Sequence, residues 1–424
     1  MSAIISVIAP LSPGNSTCGY CSPPGTRSKT KSSYHEAACI PIQLSCEVYQ
    51  RMIDRGWRRS GTYCYKPDLK RSCCPQYTIK LDALQFKPSR SQRKLLHRWN
   101  RFVLYDEHGG VDHDSSANKT DLRKRKPTKS KGKEQAFSLT SEIHASERRT
   151  TTDEKPAHSF EVTLELSSYT DEKFKLYQSY QKEIHHETEE KPSGFKGFLV
   201  ESPLHSETIP YSAPCPEHLP RAYGSYHQLY RLDGELIAMG VIDIVPSCVS
   251  SVYFMYEKKW ERFSLGKLSA LREASLAKEI HGAGAPEMNS LYMGFYIHSC
   301  PKMRYKGDYS PSYLADPEDY TWFPLEQTRV LLDKYRYASF AHPEHCLEGP
   351  PNPQIQPSVP ELPRRDLRHI QLMDRVDDGA AVTIPIMASP EWRRPAARQT
   401  ILSLVYGLGL ELAKEILLYL AYEI

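Results

Sequence analysis

The stretch Tyr223 to Ile280, YGSYHQLYRLDGELIAMGVIDIVPSCVSSVYFMYEKKWERFSLGKLSALREASLAKEI, decides the fold. Two apolar, β-branched and aromatic runs flank Asp233-Gly234. That dipeptide is the strongest short-range hairpin signal, because a type I′ turn needs positive φ at both central positions. The second run, Glu235 to Val245, is too apolar for a half-wet strand and suits a central one. Pro246 stops it, and a third strand, Val249 to Tyr256, follows. Ser264 can then cap a helix on which Leu265, Leu268, Leu271, Ala274 and Ile280 recur near a period of 3.6. Strand, hairpin, strand and helix in this order predict an α+β domain.

Three features of this stretch bear on chemistry. Asp243 lies inside a run of Met, Gly, Val and Ile, and buried carboxylates are rare without a partner or a task. His227-Gln228 stands in the first strand where a side chain can face a cleft. Arg272-Glu273 sits on the helix and is expected toward solvent. A structural hydrogen-bonding role is the plain alternative for Asp243, so pattern alone names no reaction.

Composition sets the frame. At 424 residues the chain is long enough for two or three domains and a sizeable core. Its net charge of +4 is small, so any nucleic-acid affinity must come from local patches. Eleven cysteines, an odd number, argue for a reducing compartment and against a disulfide framework. Met1 to Pro10 is mildly apolar but lacks the positive and apolar regions of a signal peptide. The apolar C-terminal run is broken by Glu411, Lys414 and Glu415, which suits a packing helix better than a membrane span.

The N-terminal region is rich in cysteine. Cys18-Gly19-Tyr20-Cys21 is a C-x-x-C, and Cys73-Cys74 is an adjacent pair. Four thiolates from two such pairs can complete a zinc, iron–sulfur or copper(I) site, although the second pair departs from the plain zinc-ribbon spacing. Cys39, Cys46 and Cys64 lie between them, and free buried cysteines remain the alternative. Arg55-Gly56-Trp57-Arg58-Arg59 with Tyr63 and Tyr65 interleaves cations and aromatics, a combination suited to RNA or an anionic peptide, or to a solvated face. Lys87 to Arg101 is a basic helix candidate.

From Asp106 to His158 apolar residues nearly vanish, which predicts a disordered charged linker. Its run 123–131 resembles a nuclear localisation signal. Order resumes at the alternating strand 160–166 and a helix with Phe174, Tyr177, Tyr180 and Ile184 at helical spacing. After the central helix, Ser290 to Ile297 reads as another strand. Lys302, Arg304 and Lys306 then alternate, which would put three cations on one side of an extended segment. The expected organisation is a cysteine-rich domain at 1–105, the linker at 106–158, an α+β domain at 159–345, a Pro-rich tether at 346–395 and a C-terminal helix at 396–424. There is no internal repeat, no P-loop, no G-x-G-x-x-G and no G-x-S-x-G.

GSYHQLYRLDG, GVIDIVPSCVSSVYFMY, SLGKLSALRE and YMGFYIHSCPKMRYKGDYSPSYL closely resemble the arginyl-tRNA–protein transferases. CGYC, YQRMIDRGWRRSGTYCYKP and SCCPQY resemble that family's N-terminal domain, while Arg27 to Cys46 departs from it. The resemblance implies a GNAT-like acyltransferase domain. It implies transfer of arginine from Arg-tRNA to the N-terminal amine of proteins beginning with Asp, Glu or oxidised Cys, marking them for ubiquitin-dependent degradation. It also implies an iron–sulfur cluster, with zinc as the alternative, on Cys18, Cys21, Cys73 and Cys74. The expected catalytic group is Asp243 with His227 and Gln228, and the expected substrate-binding cations are Lys302, Arg304, Lys306 and Arg231. The expected partners are Arg-tRNA and acidic protein N-termini, for a monomer expected in the cytoplasm and also in the nucleus, with no membrane association. A nucleic-acid-binding zinc or iron–sulfur module joined to an inactive interaction domain is the rival. It explains the cysteines and basic runs, but not Asp243 beside His227-Gln228.

Overall fold

The computed structural model of the chain describes residues 4–21, 23, 26–107, 137–147, 156–351, 362–377 and 380–420. Two sheets organise them. The larger runs Trp322–Pro324, Ser312–Ala315, Tyr77–Asp82, Ser290–Tyr296, Cys248–Tyr256, Glu235–Val245, Ala222–Leu232 and Phe160–Leu166, with Glu207–Thr208 paired beside Ala222–Leu232. The expected hairpin forms near its middle, with φ of 52° at Asp233 and 84° at Gly234. The Asp233 carboxylate anchors the turn by accepting from the Ser159 amide at 2.8 Å and meeting His158 Nδ1 at 2.7 Å. Every residue of Glu235–Val245 after Glu235 is buried, as a central strand requires.

The helix Leu265–Gly282 packs on Cys248–Tyr256 and Ser290–Tyr296. Its N-cap Ser264 is left-handed (φ 52°) and makes no side-chain cap, unlike the expectation. Arg272 and Glu273 are buried, at 8% and 2% exposure, where solvent was expected; the helix meets solvent instead at Lys267 and Gly282, near its ends. A helix whose middle turns are covered on every face cannot be oriented there from its apolar stripe alone.

The smaller sheet runs Ala380–Pro385, Gln371–Asp377, Ile416–Leu418, Ser6–Leu11, Lys31–Gln43, Tyr63–Pro67 and Arg58–Ser60, with Asn15–Thr17 beside Lys31–Gln43. The two sheets exchange chain. Tyr77–Asp82 leaves the N-terminal region and inserts between Ser312–Ala315 and Ser290–Tyr296. In return, the C-terminal part completes the smaller sheet. Gln371–Asp377 and Ala380–Pro385 form a hairpin there, within the stretch expected to be a tether. The expected C-terminal helix ends early: Pro395–Leu408 stops at Gly409 (φ 78°), and Ile416–Leu418 then pairs in parallel with Ser6–Leu11. Residues 352–361, the heart of the Pro-rich run, lie outside the described residues.

Most of the expected linker, including the basic run 123–131, also lies outside them. Residues 137–147 contradict the expectation. Leu139–Ile143 is a helix capped by Ser138, and it buries Leu139 and Ile143 against Arg90–Tyr105 and Leu265–Gly282. Two apolar residues in so short a window gave no period to read. The basic candidate Lys87 to Arg101 is the amphipathic helix Arg90–Tyr105. It opens with a Ser89–Gln92 capping box, buries Leu96, Trp99, Phe102 and Val103, and turns Arg93 and Lys94 outward.

Candidate active site

Cys248–Tyr256 and Ser290–Tyr296 are parallel neighbours that pair only from Cys248 to Ser250. Past Ser250 their pairing ends. A bulge accompanies the parting: Ser290–Tyr296 shifts register against Tyr77–Asp82 between Tyr292 and Phe295, with Gly294 at φ 65°. Glycine permits that conformation at no steric cost. A cavity of about 510 Å³ fills the gap. Ser250, Ser251 and Phe254 line one side, and Met293, Gly294 and Phe295 the other. Glu273 and Ser269 come from the helix, and Arg58, Arg59 and Tyr65 come from the smaller sheet and its approach.

Glu273 is the carboxyl of this cleft. Ser269 Oγ donates to it at 2.6 Å, and Ser251 bonds it from the strand. Among the described residues no cation pairs with it. Burial pushes its carboxyl up to about 7, and the two serines offset only part of that. A carboxyl poised near neutrality in a cleft has the property a general base needs.

Cations gather on the opposite wall. Arg58 Nη2 donates to Gly294 O at 3.0 Å, and Lys306 Nζ donates to Phe295 O at 2.8 Å. Burial pulls the Lys306 ammonium down to about 7, and the nearby Arg58 charge adds to this. Arg59 is differently placed. It makes a two-point ion pair with Asp243, Nε to Oδ2 at 2.8 Å and Nη2 to Oδ1 at 2.5 Å. Burial opposes the Arg59 charge, and Asp243 more than restores it.

The expected catalytic residues are therefore dispersed. Asp243 does not line the cleft; its carboxylate is taken by Arg59 and by Ser225 Oγ, which donates at 2.7 Å. His227 shares the sheet face of Asp243, since Val241 and Asp243 face His227 and Ser225 in register. Burial brings its imidazole down to about 4, so it is neutral, donating Nε2–H to Leu199 O at 2.9 Å and accepting from Lys173 at 3.1 Å. Gln228, the next residue, points to the other face. It accepts from Tyr230 at 2.7 Å and lines a different cavity with Arg272 and Glu279.

The expected substrate cations divide likewise. Residues 301–308 form a helical turn, Pro301–Arg304, and then a 3-10 turn, instead of an extended segment. Pro301 at the first helical position favours that turn. Lys302 and Lys306 reach the cleft, whereas Arg304 does not line it. Arg231 makes a two-point pair with Glu172, at 2.7 and 2.6 Å, away from the cleft. Sequence reading missed Glu273 and Arg58 as cleft residues. The signal for Glu273 was its place four residues after Ser269 and near the small Gly266, on one helix face.

Cys18, Cys21, Cys73 and Cys74 do meet, with all four sulfurs within 4.8 Å of one another. Cys73 Sγ lies 3.7 Å from Cys21 Sγ and 3.9 Å from Cys74 Sγ. Four thiolates about 2.3 Å from a tetrahedral ion stand about 3.8 Å apart, so these thiols fit a thiophilic metal. The Cys74 hydrogen bond pulls the Cys73 thiol down to about 5 against the effect of burial, while burial pushes Cys18 up to about 11. The group packs with Ile297 and Cys300, at the start of the loop that carries Lys302 and Lys306. Cys39 and Cys64 are separate, facing each other across two strands of the smaller sheet.

The two halves of this arrangement match two family models. Residues 16–94 match "Arginine-tRNA-protein transferase, N terminus", and residues 172–316 match "Arginine-tRNA-protein transferase, C terminus". Arginyl-tRNA–protein transferase 1 of Drosophila melanogaster is 33% identical over 427 residues, spanning 78% of this chain and 85% of that protein. Arginyl-tRNA–protein transferase 2 of Arabidopsis thaliana is 27% identical, over 84% of this chain and 81% of that protein. An aspartate/glutamate leucyltransferase of Pseudomonas fluorescens is 26% identical, over 63% of this chain and 80% of that protein. The chain belongs to the arginyl-tRNA–protein transferase family.

Proposed function

We propose that the cleft between the parted strands transfers arginine from Arg-tRNA to the N-terminal α-amine of proteins, with Asp, Glu and oxidised Cys as acceptor residues. The product is a substrate for ubiquitin-dependent degradation. The domain is GNAT-like in this reading, with the parted parallel strands forming the transfer site. The acceptor amine attacks the ester carbonyl of Arg-tRNA, a peptide bond forms, and the ribose hydroxyl leaves with a proton. An α-amine has a pKa of about 7.7–8.0, so much of it is protonated at neutral pH and must lose a proton before it attacks.

Glu273 carries the proposal. Its buried carboxyl, raised to about 7 and free of any cation among the described residues, suits removal of that proton. The Arg59–Asp243 pair positions the wall opposite. The cysteine group holds an iron–sulfur cluster, or zinc as the alternative, and the spacing of its four sulfurs supports a metal there. A metal bound there would hold Cys18-Cys21 to Cys73-Cys74 and brace the Cys300 loop; no step of the transfer passes through it. The protein acts as a monomer in the cytoplasm, and the basic run 123–131 supports nuclear entry. A nucleic-acid-binding module with an inactive domain leaves the cleft and Glu273 without a task.

The test is transfer of labelled arginine from Arg-tRNA to a peptide beginning with Asp. Wild-type protein incorporates label, and Glu273→Gln lowers the rate by about 10²-fold or more, the scale of general-base catalysis. No transfer by folded wild-type protein would overturn the proposal. Wild-type rates from Glu273→Gln would remove Glu273 from it.

A further inference from the structure

The cleft contains a guanidinium for which the described residues supply no anion. Arg58 carries five N–H donors. Nη1 donates to Ile53 O at 3.1 Å and Trp57 O at 2.6 Å, and Nη2 to Gly294 O at 3.0 Å. These three bonds leave Nε–H and one Nη2–H, and Nε is buried with no acceptor. The side chain is 7% exposed, yet no carboxylate pairs with it among the described residues. Its neighbour Arg59 has a two-point carboxylate partner in Asp243. A buried guanidinium is costly when its charge and donors are unmatched. Main-chain carbonyls and the Phe295 ring, 5.0 Å away, hold Arg58 in place but leave its charge uncompensated.

Lys306 is a second cation at the same peptides. It bonds Phe295 O, touches Met303 Sδ at 3.7 Å, and likewise pairs with no carboxylate among the described residues. The Gly294 bulge thus presents two successive carbonyls to two cations on the wall opposite Glu273. An N-terminal Asp or Glu has the complementary pattern, an α-ammonium and a side-chain carboxylate a few bonds apart. A planar guanidinium with two free N–H groups is the side chain best matched to a carboxylate.

We infer that Arg58, with Lys306 beside it, is the specificity-determining pair that takes the side-chain carboxylate of an acidic acceptor residue. The inference rests on the arginyl-transfer reading of this cleft. It places the guanidinium of the acidic-residue reader on the N-terminal region and its second cation, like the proton acceptor Glu273, on the C-terminal domain. Arg304, expected in this role from sequence, has no part in it.

Matched peptides beginning with Asp and with Asn test the pair. The ratio of their kcat/KM values is measured for wild type, Arg58→Lys and Lys306→Gln, beside Arg-tRNA affinity by filter binding. Arg58→Lys keeps the charge and removes the fork. The Asp:Asn ratio should fall about 10- to 100-fold in Arg58→Lys, the size of a charge-assisted hydrogen bond, and should fall in Lys306→Gln, with Arg-tRNA affinity held. A purely structural role would slow both peptides equally and leave the ratio unchanged. An unchanged ratio in folded Arg58→Lys overturns the assignment. Should Arg58→Lys not fold, the ratio in Lys306→Gln decides in the same way. Wild-type protein that arginylates no peptide at all refutes the transfer reading instead; wild-type transfer with unchanged ratios in the variants refutes only the pair.

Discussion

Arg59 and Asp243 are 184 residues apart and form a fully buried two-point ion pair that ties the smaller sheet to the middle of the larger one. Removing one partner strands the other in the interior. Asp243→Asn or Arg59→Met should therefore each cost about 3–5 kcal/mol of stability, and the double change Arg59→Met/Asp243→Leu should cost less than the sum. Denaturant unfolding of the three variants measures this. Equal stability of Asp243→Asn and wild type would contradict the buried pair.

Glu273 and Lys306 titrate in opposite senses close to the same pH. Glu273 must be ionised to accept a proton, and Lys306 must be charged to hold an anion. We expect a bell-shaped pH profile of kcat/KM, with Glu273→Gln removing the acid component near 7 and Lys306→Arg removing the alkaline limb. The acceptor amine adds its own acid limb at about 7.7–8.0 in every variant. For stability the sign is clear. The folded carboxyl of Glu273 is raised, so its contribution is complete below about 4.3 and is lost as pH rises through about 7. Glu273→Gln should thus flatten the fall in unfolding temperature between those values.

The bulge at Gly294 requires positive φ. Gly294→Ala should cost about 1–2 kcal/mol and turn the Gly294 and Phe295 carbonyls away from Arg58 and Lys306. Its transfer rate to an Asp peptide should fall by more than its rate to an Asn peptide. A proportional fall in both would show that the bulge does not serve the cation wall.

Cys73 and Cys74 complete the sulfur group. Changing both to Ser should abolish bound metal while the larger sheet stays folded. Zinc, iron and acid-labile sulfide on purified protein are the measurements. Unchanged metal content would shift attention to Cys39, Cys46 and Cys64.

The linker separates into two parts. Replacing 108–136 with a Gly/Ser segment of equal length should keep transfer within several-fold. Ile143→Ala should instead cost about 2–4 kcal/mol, because it empties a packed site against the helix that bears Glu273. Loss of all transfer in a folded 108–136 replacement would mean that those residues engage the RNA.

The sequence alone determined the family and the central local elements, though not the turn at 301–308, the hairpin 371–385 or the helix 139–143. The Asp233-Gly234 turn, the buried strand after it, the helical stripe and the paired cysteines are set by φ preference, side-chain period and spacing within a few residues, and each is where it was expected. Tertiary structure decided the site. Whether Asp243 is a base or an ion-pair partner depends on Arg59, far away in sequence, and whether Glu273 meets solvent or a cleft depends on what covers its helix. A buried charge takes its role from its partners, and pairing across two sheets leaves no periodic trace along the chain. The exchange of Tyr77–Asp82 and Ile416–Leu418 between regions was hidden for a similar reason: strand formation and strand order there are long-range choices made by packing, and Ile416–Leu418 takes a strand within a stretch whose local pattern reads as a helix.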